Sequence, residues 1–147
     1  MLALTNLLVL ETTRAPEFID ITRQVEEFVR GTRIQNGFVV VFSKHTTAAI
    51  KINENEPLLI ADMERFLDVL ASPNGHYQHN DFSLRTTNMT EDECPNGHAH
   101  CQHLLMSTSE TIPIVDGVLQ LGRWQRVFLV ELDKPRAREI VLQAVGE

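Results

Sequence analysis

The chain has 147 residues, a formal net charge of −7 at pH 7 and a hydrophobic content of 43%. This length suits one domain spanning residues 1–147, and the acidic balance argues against a nucleic-acid backbone as the main partner, because such proteins carry a basic stripe. No apolar run reaches the roughly 20 residues of a membrane span, and the N-terminus lacks the basic region of a signal peptide. We therefore expect a cytoplasmic protein with no membrane or nucleic-acid partner.

Strands and helices are predicted in an order that does not alternate strictly. Strands are predicted where apolar residues alternate or where β-branched and aromatic residues cluster: residues 2–10, 38–42, 49–52, 100–107, 111–115, 118–121, 127–132 and 140–145. One helix begins at a cap on Asp20 and stops at Gly31, and a second is capped by Asn55 or Glu56 with Pro57 at its first position. About eight strands and two main helices in this order predict an α+β fold with a mixed, largely antiparallel sheet.

Histidines are concentrated in one part of the chain. Five of the six lie between His76 and His103, and the sixth, His45, follows the predicted strand at 38–42. Residues 76–97 are polar and without periodicity, and so long a loop in a small domain is usually functional or disordered. Neutral imidazole is the commonest side-chain metal ligand and a general acid or base near neutral pH, so this concentration indicates a chemical site.

The pair His98 and His100 follows a tight Asn96-Gly97 turn. On an extended chain these two imidazoles point to the same face about 7 Å apart, a spacing at which both can bind a metal ion with a third ligand from elsewhere. The alternative is that both are solvent-exposed at the end of the loop. Cys101 is only a weak additional ligand, because no second cysteine stands at metal-binding spacing.

Candidate anion ligands surround His45 and recur further along the chain. Thr46 and Thr47 offer hydroxyls and turn amides to a phosphate oxygen, although such groups also serve simply to satisfy a turn. Arg138 belongs to a basic group near the C-terminus that can hold one phosphate. Ser109 lacks the sequence of a nucleophile elbow but can donate a hydrogen bond to an anion.

Four further positions are candidates for a role in the site, and three of them have two interpretations each. Glu54, next to Asn53 after a predicted strand, is either a base or metal partner or a solvated carboxylate. Asp62, in the second predicted helix, can orient an imidazole. Trp124, the only tryptophan, is either a core residue or a stacking surface for a substrate ring. Glu131 shares a strand face with apolar neighbours and is either a functional acid or part of a subunit interface.

Seven short motifs follow one another along the chain. They are His45-Thr46-Thr47-Ala48-Ala49, Ile52-Asn53-Glu54, Asp62-Met63-Glu64, Tyr77-Gln78-His79, Asn96-Gly97-His98-Ala99-His100, Ser109-Glu110-Thr111-Ile112-Pro113 and Leu121-Gly122-Arg123-Trp124-Gln125. In order and spacing they resemble the YjbQ-like family, whose members are often labelled secondary thiamine-phosphate synthases. The similarity runs from about Gly37 to the C-terminus, and Glu131 and Arg138 also stand where the family has acidic and basic residues.

This resemblance implies a fold, an assembly and a site. It implies a compact α+β fold with a β-sandwich-like sheet, a homotrimer, and a site built around His45, His79 and His100. The three imidazoles would bind a divalent metal ion and leave an open position for substrate. Zinc is the expected metal, with magnesium as the alternative. Three other histidines are not required by the family pattern: His76, His98 and His103. The resemblance also implies weak thiamine-phosphate synthase activity.

Three functions are compatible with these residues. The first is a metal-dependent enzyme of the thiamine-phosphate synthase type, acting on a phosphorylated small molecule. The second is a metal-dependent hydrolase or lyase of another phosphorylated metabolite, and the third is a non-catalytic module that binds a metal or a ligand. For either of the two enzymatic functions, the expected catalytic residues are His45, Glu54 and Asp62. The residues expected to hold substrate or phosphate are Thr46, Thr47, Asn53, Ser109, Trp124 and Arg138.

Overall fold

Two antiparallel sheets packed against each other form the framework of the protein. The computed structural model describes all residues from 1 to 147. Its elements are β1 (Leu2–Glu11), β2 (Glu17–Asp20), α1 (Thr22–Thr32), β3 (Gly37–Ser43), β4 (Ala48–Glu54), α2 (Pro57–Leu70), a turn of 3-10 helix (Gln78–Asn80), α3 (Gly97–His103), β5 (Ser109–Val115), β6 (Val118–Leu119), β7 (Gln125–Glu131) and β8 (Ala137–Gly146). The larger sheet has the strand order β1-β8-β3-β5-β6 and the smaller β2-β7-β4, and all pairs are antiparallel. The predicted α+β, largely antiparallel fold is confirmed.

The main core lies between the two sheets and helix α1. Val41 of β3 and Leu142 of β8 are buried against Ile50 and Leu129 of the smaller sheet, and Val25 of α1 closes one side. Alternate residues of each strand enter this core, as the period of two predicts. Burial of each such side chain contributes roughly 1.5–3 kcal/mol to folding.

A second, smaller core lies on the opposite face of the smaller sheet. Phe128 and Val130 of β7 are fully buried there against Leu67 of α2 and Ala99 of α3. The smaller sheet is therefore covered on both faces, which explains the uninterrupted apolar run in β7. The larger sheet has no helix on its outer face, where Phe38 remains 40% exposed.

The predicted strand at residues 100–107 is wrong. Helix α3 occupies Gly97–His103. Gln102 is buried and donates hydrogen bonds from Nε2 to the carbonyl oxygens of Leu67 and Ala71, each at 3.1 Å, where α2 ends. The carbonyl oxygen of Leu67 also accepts the backbone N–H of Ala71, whereas that of Ala71, just past the last helical residue, accepts no backbone hydrogen bond. Gln102 thus supplies a partner at the end of α2, so the packing against α2 favours a helix where the local sequence suggested a strand.

The change from strand to helix separates His98 from His100. Successive helical residues point in directions about 100° apart, so residues two apart do not share a face. His98 is 9% exposed and packs beside Tyr77, whereas His100 is half-buried at a cleft described below. The predicted metal-binding pair His98–His100 on one face is therefore not formed.

Several predicted element ends are confirmed and others shift. Glu56 caps α2 as predicted, because its carboxylate accepts hydrogen bonds from the backbone N–H groups of Leu58 and Leu59. Helix α1 continues past Gly31 to Thr32 and is capped by Arg33 at φ 61°, a left-handed conformation that more often belongs to glycine. None of the three helices is long and apolar enough to cross a membrane.

Candidate active site

A polar cleft opens where the ends of β3, β4 and β8 meet the segment that precedes α3. Its volume is about 330 Å³, and no hydrophobic side chain lines it. The lining consists of Lys44, His45, Thr46, Thr47, His79, Arg85, Asn88, Glu93, Asn96, His100, Arg136 and Arg138. Four cations and one carboxylate line the cleft, and each cation is paired with a carboxylate: Lys44 with Glu139, Arg85 with Glu93, Arg136 with Asp133 and Arg138 with Glu131. Small-molecule pockets are usually mostly apolar, so this lining favours a small polar ligand, and it suits an anion where these paired cations keep N–H donors free.

Arg138 and Glu131 form a buried ion pair behind the cleft. The Arg138 side chain is 2% exposed, and its Nε donates to Glu131 Oε2 at 2.6 Å while Nη2 donates to Thr47 Oγ1 at 3.0 Å. Glu131 also accepts hydrogen bonds from Thr12 Oγ1 and from the backbone N–H of Asp133, both at 2.9 Å. Nη1 of Arg138 makes no hydrogen bond within the protein, so this donor remains for a ligand in the cleft.

The bend between β3 and β4 brings backbone donors to the same place. The hydroxyl of Ser43 donates to the carbonyl oxygen of Ala48 at 2.6 Å and so closes the bend at residues 44–47. The backbone N–H groups of Thr46 and Thr47 make no hydrogen bond within the protein. Free amides in a turn are suitable donors to an oxyanion.

His45 is held in one tautomer by the neighbouring strand β8. Its Nε2 accepts a hydrogen bond from the backbone N–H of Glu139 at 2.8 Å. Burial lowers the pKa of His45, and the positive charge of Arg138 lowers it further, so the imidazole is neutral at neutral pH. A neutral imidazole carries one proton, which must then be on Nδ1. His45 is therefore a fixed hydrogen-bond donor to a ligand that binds beside it.

His79 and His100 form a pair on the other side of the cleft. Their ring centroids lie 4.7 Å apart in an edge-to-face arrangement, and Nε2 of His79 is buried without a hydrogen-bond partner. Burial lowers the pKa of His100, and the neighbouring His79 lowers it further. A neutral imidazole in this position can accept a proton or bind a metal ion.

The three predicted metal-ligating histidines all line the cleft, but they do not form a metal-binding group. No three His, Cys, Asp or Glu side chains of the protein lie close enough together to hold an ion. His79 and His100 supply two donors, whereas Nε2 of His45 is occupied by the backbone N–H of Glu139. In this arrangement the side chains fit a metal ion only in part, because two imidazoles are available where a zinc site needs at least three protein ligands.

Two of the predicted site regions lie at the opposite end of the smaller sheet. Strand β4 starts at the cleft with Ala48, and six residues at about 3.3 Å each carry Glu54 roughly 20 Å away, with Asn53 beside it. Trp124 precedes β7 at that same far end, 61% exposed and 4.6 Å from the guanidinium of Arg123. The geometry gives no support to a site role for these residues.

Asp62 and Ser109 also lie outside the cleft lining. Asp62 is exposed on α2 and forms a salt bridge with Arg65 at 2.9 Å. Ser109 starts β5 opposite Phe42, on the exposed face of the larger sheet. Six lining residues were not among the predicted site residues: Lys44, Arg85, Asn88, Glu93, Asn96 and Arg136. Four of these six lie in the long polar segment at residues 76–97, whose length and polarity were the sequence features that could have indicated them.

Comparison with known proteins identifies the family. The model of the family described as "UPF0047 protein YjbQ-like" matches residues 6–147. A UPF0047 protein of Methanothermobacter thermautotrophicus is 37% identical over 143 residues, which are 97% of this chain and 92% of that protein. The UPF0047 protein YugU of Bacillus subtilis is 33% identical over 138 residues, covering 93% of this chain and 96% of that protein.

Solved structures agree with this result over almost the whole chain. The crystal structure of a YbjQ-like protein of unknown function from Sulfolobus solfataricus has a TM-score of 0.88 at 34% identity and covers 99% of this chain and 98% of that one. A protein of the yjbq/upf0047 family from Clostridium acetobutylicum has a TM-score of 0.83 at 35% identity, with coverages of 95% and 99%. The chain therefore belongs to the YjbQ-like UPF0047 family.

Proposed function

We propose that the protein is an enzyme that acts on a phosphorylated small molecule and binds its phosphate in the polar cleft. The observation that carries this proposal is Arg138, a guanidinium 2% exposed whose Nη1 has no partner within the protein. Nη1 is not among the buried polar atoms that lack a partner, so it is open to the cleft, where a phosphate oxygen can accept a charge-assisted hydrogen bond from it. Arginine is well suited to this ligand because its planar fork matches phosphate geometry.

Other donors around the cleft supply the remaining contacts to a phosphate. The amides of Thr46 and Thr47 and the hydroxyl of Thr47 lie on the bend, and His45 offers its Nδ1–H. Donors that are held in place before the ligand arrives stabilise developing negative charge without reorganisation. This supports a role in stabilising a phosphate during reaction as well as in binding it.

The His79–His100 pair provides the acid–base chemistry. His100 is neutral at neutral pH because burial lowers its pKa, so it can accept a proton from water or from a substrate hydroxyl. Hydrolysis of a phosphoester and displacement of a phosphorylated leaving group both combine charge stabilisation with such a proton transfer. Nothing apolar or aromatic apart from imidazole lines the cleft, and the relatives carry only the family name, so we propose no thiamine-specific step.

A divalent metal ion is a separate part of this proposal. His79 and His100 are the residues that would hold it, and zinc suits imidazole ligands better than magnesium, which prefers oxygen ligands. A bound zinc ion would supply a Lewis acid next to the phosphate. Phosphate binding by Arg138 and the bend at 44–47 does not depend on it.

One preparation tests the enzyme and the metal together. Protein purified without an affinity tag is analysed for bound metal and then screened for turnover of phosphorylated metabolites, with and without added zinc. We expect turnover of at least one phosphorylated compound and its loss in His100→Ala, whereas His76→Ala, an exposed histidine outside the cleft, retains it.

The outcomes of this screen separate the alternatives. Phosphate binding without any turnover identifies a binding module and contradicts the enzyme. Turnover with less than about 0.2 zinc per chain, even after zinc supplementation, contradicts the proposal of a bound metal ion and leaves the proposal of an enzyme in place.

We also propose that the chain assembles as a homotrimer, the state that the family resemblance implies, and that the outer face of the larger sheet forms the contact between subunits. This face has no covering helix and exposes a group of apolar side chains: Leu7, Val9, Phe38, Phe42 and Val115. Exposed apolar patches of this kind mark interaction surfaces.

A charge placed in this face tests the assembly. We expect Phe38→Asp to convert trimers into monomers in sedimentation velocity, because a carboxylate would be buried without a partner. Leu58→Asp, on the exposed side of α2 at 76% exposure, serves as the matched control and keeps the trimer. A wild-type chain that sediments as a monomer would contradict this assembly.

A further inference from the structure

A second pocket adjoins the phosphate cleft. Its volume is about 490 Å³, and it is lined by Gln78, His79, Leu84, Arg85, Thr87 and Asn88. Three of these residues, His79, Arg85 and Asn88, also line the first cleft. The two cavities therefore share one wall, with a phosphate end at Arg138 and an outer end at the segment 78–88.

The shared wall is held in place by Arg85. This side chain is 15% exposed, and its Nη1 contacts Glu93 Oε2 at 2.6 Å while Nη2 donates to the carbonyl oxygen of Asn88 at 2.9 Å. The charge of Arg85 is thus paired with Glu93, and the outer end has no other cation in its lining. The outer pocket does not attract a second phosphate.

The outer pocket instead presents uncharged donors and acceptors. The amides of Gln78 and Asn88 and the hydroxyl of Thr87 are exposed and make no side-chain hydrogen bond within the protein. Nε2 of His79 is buried without a partner. Leu84 is the single apolar residue, and the only ring is the imidazole of His79, which is paired edge-to-face with His100, so the pocket offers no Phe, Tyr or Trp on which a heterocyclic base would stack.

We infer that the substrate is a sugar phosphate, whose polyhydroxylated part lies in the outer pocket with Gln78 and Asn88 selecting it. This inference rests on the proposed phosphate site. A hydroxyl group both donates and accepts hydrogen bonds, and the carboxamide of each residue offers the complementary pair of groups. A site built to hydrogen-bond a hydroxyl discriminates against an analogue that lacks it, because its polar groups are then left unpaired.

Calorimetric titration with ribose 5-phosphate, n-propyl phosphate and inorganic phosphate tests this inference. The wild type is expected to bind ribose 5-phosphate about tenfold more tightly than n-propyl phosphate, as two added hydrogen bonds allow. The double variant Gln78→Ala/Asn88→Gly is expected to bind both esters within about twofold of each other, and Gln78→Ala alone, at a residue that lines only the outer pocket, is expected to keep the wild-type affinity for inorganic phosphate. Glycine is chosen at position 88 because Asn88 has φ 53°, which glycine adopts without strain.

Gln120→Ala is the control variant. It removes an exposed amide outside both pockets and is expected to keep the tenfold preference for ribose 5-phosphate. Equal binding of the two esters by the wild type, or a preference that survives in the double variant, overturns the sugar-phosphate inference and leaves the phosphate site in place. Failure of inorganic phosphate to bind the wild type contradicts both the phosphate site and the sugar-phosphate inference that rests on it.

Discussion

Replacement of Arg138 by methionine is expected to lower the free energy of unfolding by about 3–5 kcal/mol. Glu131 is fully buried, and Arg138 is its only cationic partner within hydrogen-bonding distance. Methionine preserves much of the packing of the long side chain, so most of the loss comes from leaving a carboxylate buried without a countercharge. Denaturation by urea, followed by the tertiary signal of the protein, measures this change.

A second substitution separates the charge effect from the packing effect. We expect Arg138→Met/Glu131→Gln to be more stable than Arg138→Met alone, because the unpaired buried charge is removed. The glutamine carbonyl oxygen can still accept the backbone N–H of Asp133, and its amide can donate to Thr12 Oγ1. Arg126→Met, in a loose surface pair with Asp20 at 4.0 Å, should cost no more than about 0.5 kcal/mol. A double variant less stable than the single one would contradict the role assigned to the ion pair.

The same double variant should lose most of its affinity for phosphate. We expect inorganic phosphate to bind Arg138→Met/Glu131→Gln about 10- to 100-fold more weakly than the wild type, since a charge-assisted hydrogen bond contributes about 1.5–3 kcal/mol. The variant keeps its net charge, because one cation and one anion are removed together. A weaker affinity therefore reports the lost donor at Arg138. Calorimetry at one fixed ionic strength measures it.

Thr47→Val provides a second check on the same phosphate site. Valine has the shape of threonine, so the substitution removes the hydroxyl in the cleft, and with it the hydrogen bond from Arg138 Nη2, while the contacts between Arg138 and Glu131 remain. A several-fold loss of phosphate affinity is expected, of the order of one neutral hydrogen bond. Thr111→Val, the same change on the exposed face of β5, should bind phosphate like the wild type. Unchanged affinity in both cleft variants would place the phosphate elsewhere.

The secondary structure was predictable where the local sequence carries its own signal. Glu56 caps α2 with Pro57 behind it, and Asp116-Gly117 forms the predicted hairpin with positive φ at both residues. The segment 97–103 has no such signal of its own, because its helix is stabilised by hydrogen bonds from Gln102 to the last turn of α2. Those partners lie more than 30 residues away along the chain.

The candidate site was predictable only in part, for a related reason. His45, Thr46 and Thr47 stand directly after an apolar strand, and a strand end is a position that sequence alone can recognise. His79 and His100 were singled out by family resemblance. In the sequence, Glu54 and Trp124 stood out as much as the residues of the cleft did. Only the direction of β4 and β7 places them at the far end of the smaller sheet.

The sequence by itself determined the α+β class, most strands, both long helices and the family, because periodicity, caps and motif order are local properties of the chain. The tertiary structure decided which polar residues meet. It pairs Arg138 with Glu131 while leaving one guanidinium nitrogen free, turns Nε2 of His45 toward the backbone of Glu139, and brings Arg85 to the wall between two cavities. Hydrogen bonds between distant segments form only once the sheets pack, so no local pattern can reveal them.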